Sequence, residues 1–203
     1  MWKLFPPGNF PMIKLVEFLY MKQNWSQETY IKAYKFAAQA HQCQKIPGSE
    51  ISYIMHLSFV SMEVIAGLNA NQEYDGNLAI QCAILHDTIE DTNTTYEQLT
   101  TEFGAAVANG VLALTKDNSL AKHLQMADSL ERIKQQPKEI WMVKLADRIS
   151  NLQAPPHYWN TEKITKYREE AIQIYQTLNE ASDFLASRLA KKIEDYQSFI
   201  PQV

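Results

Sequence analysis

Apolar residues recur every three to four positions along nearly the whole chain, the spacing of helices that each bury one face. After a Pro-rich arm containing Pro6 and Pro7, Met12 to Met21 carries Ile13, Val16, Leu19 and Tyr20 at that spacing. Ser26 is placed to cap a helix running through Tyr30, Ala33, Phe36, Ala37 and Ala40. Pro47-Gly48-Ser49 marks Gln42 to Ser52 as a loop. A helix from Ile54 to Leu68 follows, then a polar turn from Asn69 to Gly76. The next helix, Leu78 to Glu90, is apolar on most sides and is expected at the centre of the bundle.

Thr94, with Glu97 three residues on, has the pattern of a capping box and opens a helix from Tyr96 to Phe103 that Gly104 ends. Helices over Ala105 to Leu114 and Leu120 to Lys134 lead to a break at Pro137. Glu139 to Leu152 is helical, with Ile140, Val143, Leu145 and Ile149 apolar, and Pro155-Pro156 closes it. Two amphipathic helices, Glu162 to Leu178 and Ser182 to Phe199, complete the chain. No alternating strand pattern and no repeat is present. The expected architecture is all-α: an N-terminal arm with a short helix over 1–25, then one helical bundle over 26–203.

Composition narrows the class. With 203 residues, 46% of them hydrophobic and 21% charged, the chain can bury a substantial core and is not disordered. A formal charge of −4 gives no surface for coating a polyanion, so nucleic acid is not the expected partner. No apolar run approaches the length of a membrane span, and the Pro-broken N-terminus does not read as a signal peptide. Cys43 and Cys82 lie far apart without a CxxC pattern, as in a reduced, cytoplasmic protein.

The chemistry concentrates in Leu85-His86-Asp87-Thr88-Ile89-Glu90-Asp91. Read as helix, this stretch puts Asp87, Glu90 and Asp91 on one face, with His86 one turn from Glu90. Such crowding of ionisable groups needs a cation. Asp147, in Lys144-Leu145-Ala146-Asp147-Arg148, sits in an apolar helix where an unpaired carboxylate would be costly, so it requires Arg148, a metal, or both. With His56 added, two imidazoles and two carboxylates form a mixed N/O donor set, His56, His86, Asp87 and Asp147. That set suits Mn²⁺ or Fe²⁺ with open positions for water and substrate, one ion per chain. Glu90 and Asp91 remain beside the metal to handle protons, and the chain reads as a metal-dependent hydrolase. Asn151, one turn beyond Asp147, points the same way and is placed to hold a phosphate oxygen, or a ribose in the nucleotide that the resemblance below implies.

Tyr53-Ile54-Met55-His56, the His86-Asp87 to Thr92 stretch, Phe103-Gly104, Leu114-Thr115-Lys116 and Lys144 to Leu152 together resemble the hydrolase domain of RelA/SpoT-type enzymes, a branch of the HD phosphohydrolases. The likeness runs from about Ala33 to Ala181. With no synthetase segment after it, the chain is most similar to the small stand-alone alarmone hydrolases of that branch. The resemblance implies an all-helical HD fold, one Mn²⁺, and hydrolysis of the 3′-pyrophosphate of ppGpp or pppGpp. It also places His56, His86, Asp87 and Asp147 on the metal ligands, and Glu90 and Asp91 on the catalytic acid pair.

Further substrate contacts follow from the same likeness. Lys45 stands where the family usually has an arginine packed on the guanine base, and it keeps the charge without the planar surface. Trp159, Lys163 and Tyr167 share one helical face, with Lys163 and Tyr167 expected to reach the 5′-phosphates; the alternative is an amphipathic helix with a snorkelling lysine. Arg148 is expected to pair with a site carboxylate, His41 to be a loop or supporting residue, and His123 and His157 to lie on the surface. Leu57 replaces a common proline after His56. Two rival functions use the same features: another HD phosphohydrolase, such as a nucleotidase or NADPH 2′-phosphatase, and a non-catalytic alarmone-binding module.

Overall fold

A computed structural model describes residues 24–71 and 73–201. The expected helix over Met12 to Met21 lies outside the described residues. The elements are α1 (Gln27–Ala40), α2 (Ile54–Ala70), α3 (Gly76–Leu85), α4 (Thr88–Asp91), α5 (Tyr96–Phe103), α6 (Ala105–Leu114), α7 (Lys122–Lys134), α8 (Lys138–Asn151), α9 (Thr161–Leu178) and α10 (Asp183–Tyr196), with short 3₁₀ turns at Asn179–Ala181 and Gln197–Phe199. Among the described residues there is no strand. An isolated antiparallel bridge between Lys45 and Ser52 closes the loop before α2.

Helices α2, α3 and α8 pack most extensively on one another and form the centre of the bundle. Leu57, Val60 and Val64 of α2, Ile80, Ile84 and Leu85 of α3, and Ile140, Val143 and Leu145 of α8 are fully buried there. Burying side chains of this size stabilises the fold by about 1.5–3 kcal/mol each, before the entropy of ordering them is subtracted. The remaining helices enclose this trio, so polar groups inside it need partners.

Four local expectations are corrected. The helix expected over Leu78 to Glu90 breaks at His86 and Asp87 into α3 and α4. There the His86 Nδ1 bonds the Ala83 carbonyl at 2.9 Å and the Thr88 hydroxyl donates to the Leu85 carbonyl at 2.6 Å, so side chains satisfy the end of α3. The capping box that opens α5 is Thr95 with Gln98, one residue later than Thr94 with Glu97. Ser26 precedes α1, but its hydroxyl makes no capping bond; its amide donates instead to Asn77 at 2.8 Å. The helix from Leu120 starts at Lys122, because Asp117 accepts from both the amide and the hydroxyl of Ser119 and holds a turn. At the other helix starts, Asn160 caps α9 and Ser182 caps α10.

Candidate metal centre and cleft

Each of the three central helices contributes to one cluster, buried but for the half-buried Asp87. His56 comes from the first turn of α2, His86 and Asp87 from the break after α3, and Asp147 from the middle of α8. The break matters for this convergence. Adjacent residues on a continuous helix project about 100° apart, whereas His86 Nε2 and Asp87 Oδ2 lie 2.9 Å apart here. His56 Nε2 is 3.3 Å from His86 Nε2, 3.6 Å from Asp87 Oδ2 and 3.5 Å from Asp147 Oδ1. His86 Nε2 is 3.7 Å from the same Asp147 oxygen.

These separations suit a cation. Two donors each about 2.1 Å from one ion and about 85–125° apart stand roughly 2.8–3.7 Å from each other. One donor atom from each of His56, His86 and Asp147 falls within a sphere where all lie within 4.8 Å of one another, and the three residues are buried. The outer partners prepare them. His86 Nδ1 faces the Ala83 carbonyl and so carries its proton there, which leaves Nε2 free to ligate. His56 Nδ1 lies 3.2 Å from the Ser150 hydroxyl, Tyr53 donates to Asp87 Oδ2 at 2.5 Å, and Asn151 donates to Asp147 Oδ1 at 2.5 Å.

The electrostatics of the cluster point the same way. Burial would depress the His86 imidazole, yet the charge of Asp87 and the bonds to Asp147 and Asp87 push it up to about 10. His56 moves up too, because Asp147 and Asp87 outweigh its burial. Asp87 and Asp147 are held well below the usual carboxylate range against their burial, Asp87 chiefly by His86 and Asp147 chiefly by Lys144. Two carboxylates that raise both imidazoles against their burial make a site short of positive charge. The chemistry and spacing of the donors therefore fit a divalent cation.

Glu90 and Asp91 flank the cluster but are held differently. Lys116 donates to Glu90 through its backbone amide at 2.9 Å and its ammonium at 2.7 Å, one bond to each carboxylate oxygen. Asp91 accepts a single side-chain bond, from Gln44 at 2.9 Å. Burial raises the Asp91 pKa, the Gln44 bond tempers it, and Asp87 and Glu90 raise it further. Lys116 is pushed up despite its burial by its bond to Glu90.

A cleft of about 440 Å³ opens beside the cluster, lined by Ile46, Pro47, Gly48, Tyr53, Met55, His56, Phe59, Ser150, Asn151, Trp159 and Tyr167 among others. His56 thus belongs to both the donor set and the cleft wall. The loop tip reaches the cleft by a turn at Gly48, whose φ of +78° is a conformation that a side chain would strain.

Not every expected substrate residue faces this cleft in the same way. Tyr167 and Asn151 line it, and Asn151 is at the same time fastened to Asp147. Lys163 lies over the Trp159 ring at 4.3 Å, beside the cleft. Lys45 is exposed and donates to the Glu50 carbonyl of its own loop at 3.1 Å, away from the cleft wall. Arg148 corrects an expectation: it stacks on Tyr167 at 4.2 Å and pairs with Glu170 at 3.5 Å, outside the cluster. The partner of Asp147 is Lys144, at 3.1 Å, which the i, i+3 spacing on α8 already offered. His123 and His157 are exposed, His157 at the cleft rim. Tyr53, Gln44 and the grip of Lys116 on Glu90 are partners of the site that the sequence pattern does not single out. The last joins residues 26 apart and left no local signal.

The model of the HD domain family matches residues 33–184. The chain belongs to the HD-domain family. Its His86-Asp87 pair lies in the cluster of donors described above. Relatives of this HD-domain protein include guanosine-3′,5′-bis(diphosphate) 3′-pyrophosphohydrolase MESH1 of Danio rerio, 32% identical over 169 residues that cover 81% of this chain and 92% of the relative. The Homo sapiens protein of the same name is 31% identical over 153 residues, 73% of this chain and 83% of the relative. A guanosine-3′,5′-bis(diphosphate) 3′-pyrophosphohydrolase of Aquifex aeolicus is 33% identical over 153 residues, 72% of this chain but 20% of that longer protein. In three dimensions the fold matches a solved structure described as a metazoan ortholog of SpoT that hydrolyzes ppGpp, with a TM-score of 0.72 and 24% identity over 85% of this chain and 97% of the other. The match bears out the all-α HD bundle. No helix among the described residues is long and apolar enough to cross a membrane.

Proposed function

We propose that this HD-domain protein is a metal-dependent phosphohydrolase that removes the 3′-pyrophosphate of ppGpp and pppGpp, giving GDP or GTP and pyrophosphate, in the cytoplasm and with one Mn²⁺ per chain. The observation that carries this reading is that His56 stands in both the donor cluster and the wall of the cleft, so a nucleotide in the cleft presents a phosphoryl group to the cluster. The names of relatives that align over most of their own length support the substrate.

His56, His86, Asp87 and Asp147 would hold the cation. When bound there, it supplies Lewis-acid polarisation of the phosphoryl oxygens and makes water acidic enough to ionise near neutral pH. Asp91 is the group that takes a proton from the attacking water, because one of its oxygens is free of side-chain donors and its basicity is raised. Water oxygen bonds to the 3′-phosphorus as the bond to the 3′ oxygen breaks, and the proton held by Asp91 is available to that departing oxygen. Glu90, both of whose oxygens face Lys116, fixes the ammonium beside the cluster, where it can neutralise phosphoryl charge. The apolar wall of Pro47, Met55, Phe59 and Trp159 receives the base, Asn151 the sugar, and Lys163 and Tyr167 the 5′-phosphates. Lys45 shapes the loop that carries Pro47 and Gly48 rather than stacking on the base.

A panel of 3′- and 2′-phosphorylated nucleotides, including ppGpp, pppGpp and NADPH, tests this with purified protein and Mn²⁺. Chromatography is expected to resolve GDP or GTP from the first two. Turnover of a 2′-phosphate alone would retain the metal mechanism and overturn the substrate.

A further inference from the structure

One buried group near the site has no part in the chemistry above. The His41 side chain is 2% exposed, and its Nε2 is buried without a hydrogen-bond partner among the described residues. Its Nδ1 lies 2.6 Å from Gln44 Oε1, and the Gln44 amide nitrogen donates to Asp91 Oδ2 at 2.9 Å.

The polarity of this chain is fixed from its far end. An ionised carboxylate only accepts, so Gln44 must turn its NH₂ to Asp91 and its carbonyl oxygen to His41. A carbonyl oxygen only accepts as well, so His41 Nδ1 carries the proton and donates. The ring is held in that orientation by stacking on Tyr53, with centroids 5.2 Å apart and planes 30° apart. Gln44 itself stands on a fixed backbone. Its amide donates to the His41 carbonyl at 2.9 Å, and its carbonyl accepts from the Tyr53 amide at 3.0 Å.

We propose that His41 and Gln44 are a positioning pair for Asp91: His41 locks the Gln44 amide, and the locked amide engages Asp91 Oδ2 so that Oδ1 is the oxygen turned to the attacking water. The proposal rests on Asp91 as the proton acceptor in the function above. It assigns a role to a buried histidine that neither ligates the metal nor lines the cleft. It also explains a glutamine at the start of a surface loop, where a solvated side chain would serve the loop equally well. Neither residue touches substrate, so both act on turnover and not on affinity.

Four variants and one spectrum test this. In Gln44→Leu, kcat is expected to fall by roughly 10-fold or more with KM within about 2-fold, since the lost contact acts only on the reacting group. His41→Phe keeps the stacked ring but not the donor, and is expected to lower kcat less; the double variant is expected to be no slower than Gln44→Leu alone, because His41 acts through Gln44. Multiplying losses, or a loss confined to KM, would overturn the pair, as would full activity in Gln44→Leu. The spectrum needs no substrate. In metal-loaded protein one Gln44 side-chain amide proton is expected at a shifted position and slow to exchange, moving to the ordinary range in Asp91→Ala. An unchanged signal there would overturn the contact even in a protein that ignores ppGpp, whereas a shifted signal in such a protein would leave the pair standing and the substrate reading fallen.

Discussion

Lys116 holds both carboxylate oxygens of Glu90, one through its backbone amide and one through its ammonium. Two adjacent acids that look equivalent in sequence therefore differ: Glu90 is engaged by a cation, and Asp91 accepts one neutral amide bond. Asp91→Asn is expected to reduce kcat by roughly 10²-fold or more while the metal stays bound. Glu90→Gln would turn an NH₂ toward Lys116 and release it, so Glu90→Gln, Lys116→Met and the double variant are expected to lose similar activity. Turnover kinetics of the four proteins check this, and independent losses at Glu90 and Lys116 would separate the pair.

Metal loading and pH are linked with a definite sign. In metal-free protein His86 is held up to about 10 and His56 is also raised above 6.5, so their contribution to stability is complete below about 6.5 and is lost as pH rises through the folded values. Asp87 and Asp147 are depressed, so theirs is present above 3.8 and lost as pH falls. Metal-free protein is expected to have its highest Tm between about pH 4 and 6.5. A divalent ion needs neutral imidazoles, so its affinity and the Tm gain it gives are expected to rise with pH, with protons released on binding. Melting curves with chelator and with Mn²⁺ across pH 3 to 9 check this, and His86→Ala is expected to abolish the gain.

Lys163 stacks on Trp159 at the edge of the cleft, remote from the bond to be broken. Lys163→Ala is expected to raise KM for ppGpp by about 10-fold, with a smaller rise for a guanosine 3′-diphosphate lacking the 5′-diphosphate. Equal effects on both would remove Lys163 from the 5′-phosphates.

Gly110 sets how closely α6 approaches the centre, since a Cβ there would stand 2.5 Å from Ile140 Cδ1 and 2.8 Å from Cys82 Sγ. Gly110→Ala is expected to cost about 1–3 kcal/mol by overpacking, seen as a lower Tm with metal content unchanged.

The helical layout was legible because an apolar stripe of period 3.6 runs through each long helix. The clustering of His86, Asp87 and Asp147 was legible because they are charged or polar groups set in apolar stretches where burial demands a partner. The break at His86 was not, since Ile89 continues the apolar pattern and no Pro or Gly interrupts it. The start of α5 offered two overlapping capping boxes, and propensity alone did not choose between Thr94 and Thr95. Arg148 beside Asp147 drew the ion pair by adjacency, while helical geometry gave it to Lys144, one turn back on the same face. The Lys116 contact depends on the packing of α6 near α4, which no local pattern encodes.

Hydrolysis of ppGpp in ¹⁸O-labelled water by the Mn²⁺-loaded protein tests the central claim most directly. The expected products are GDP and pyrophosphate in equal amounts, with one ¹⁸O in the pyrophosphate and none in GDP. Release of orthophosphate, label in the nucleotide, or no turnover of ppGpp would contradict a 3′-pyrophosphohydrolase.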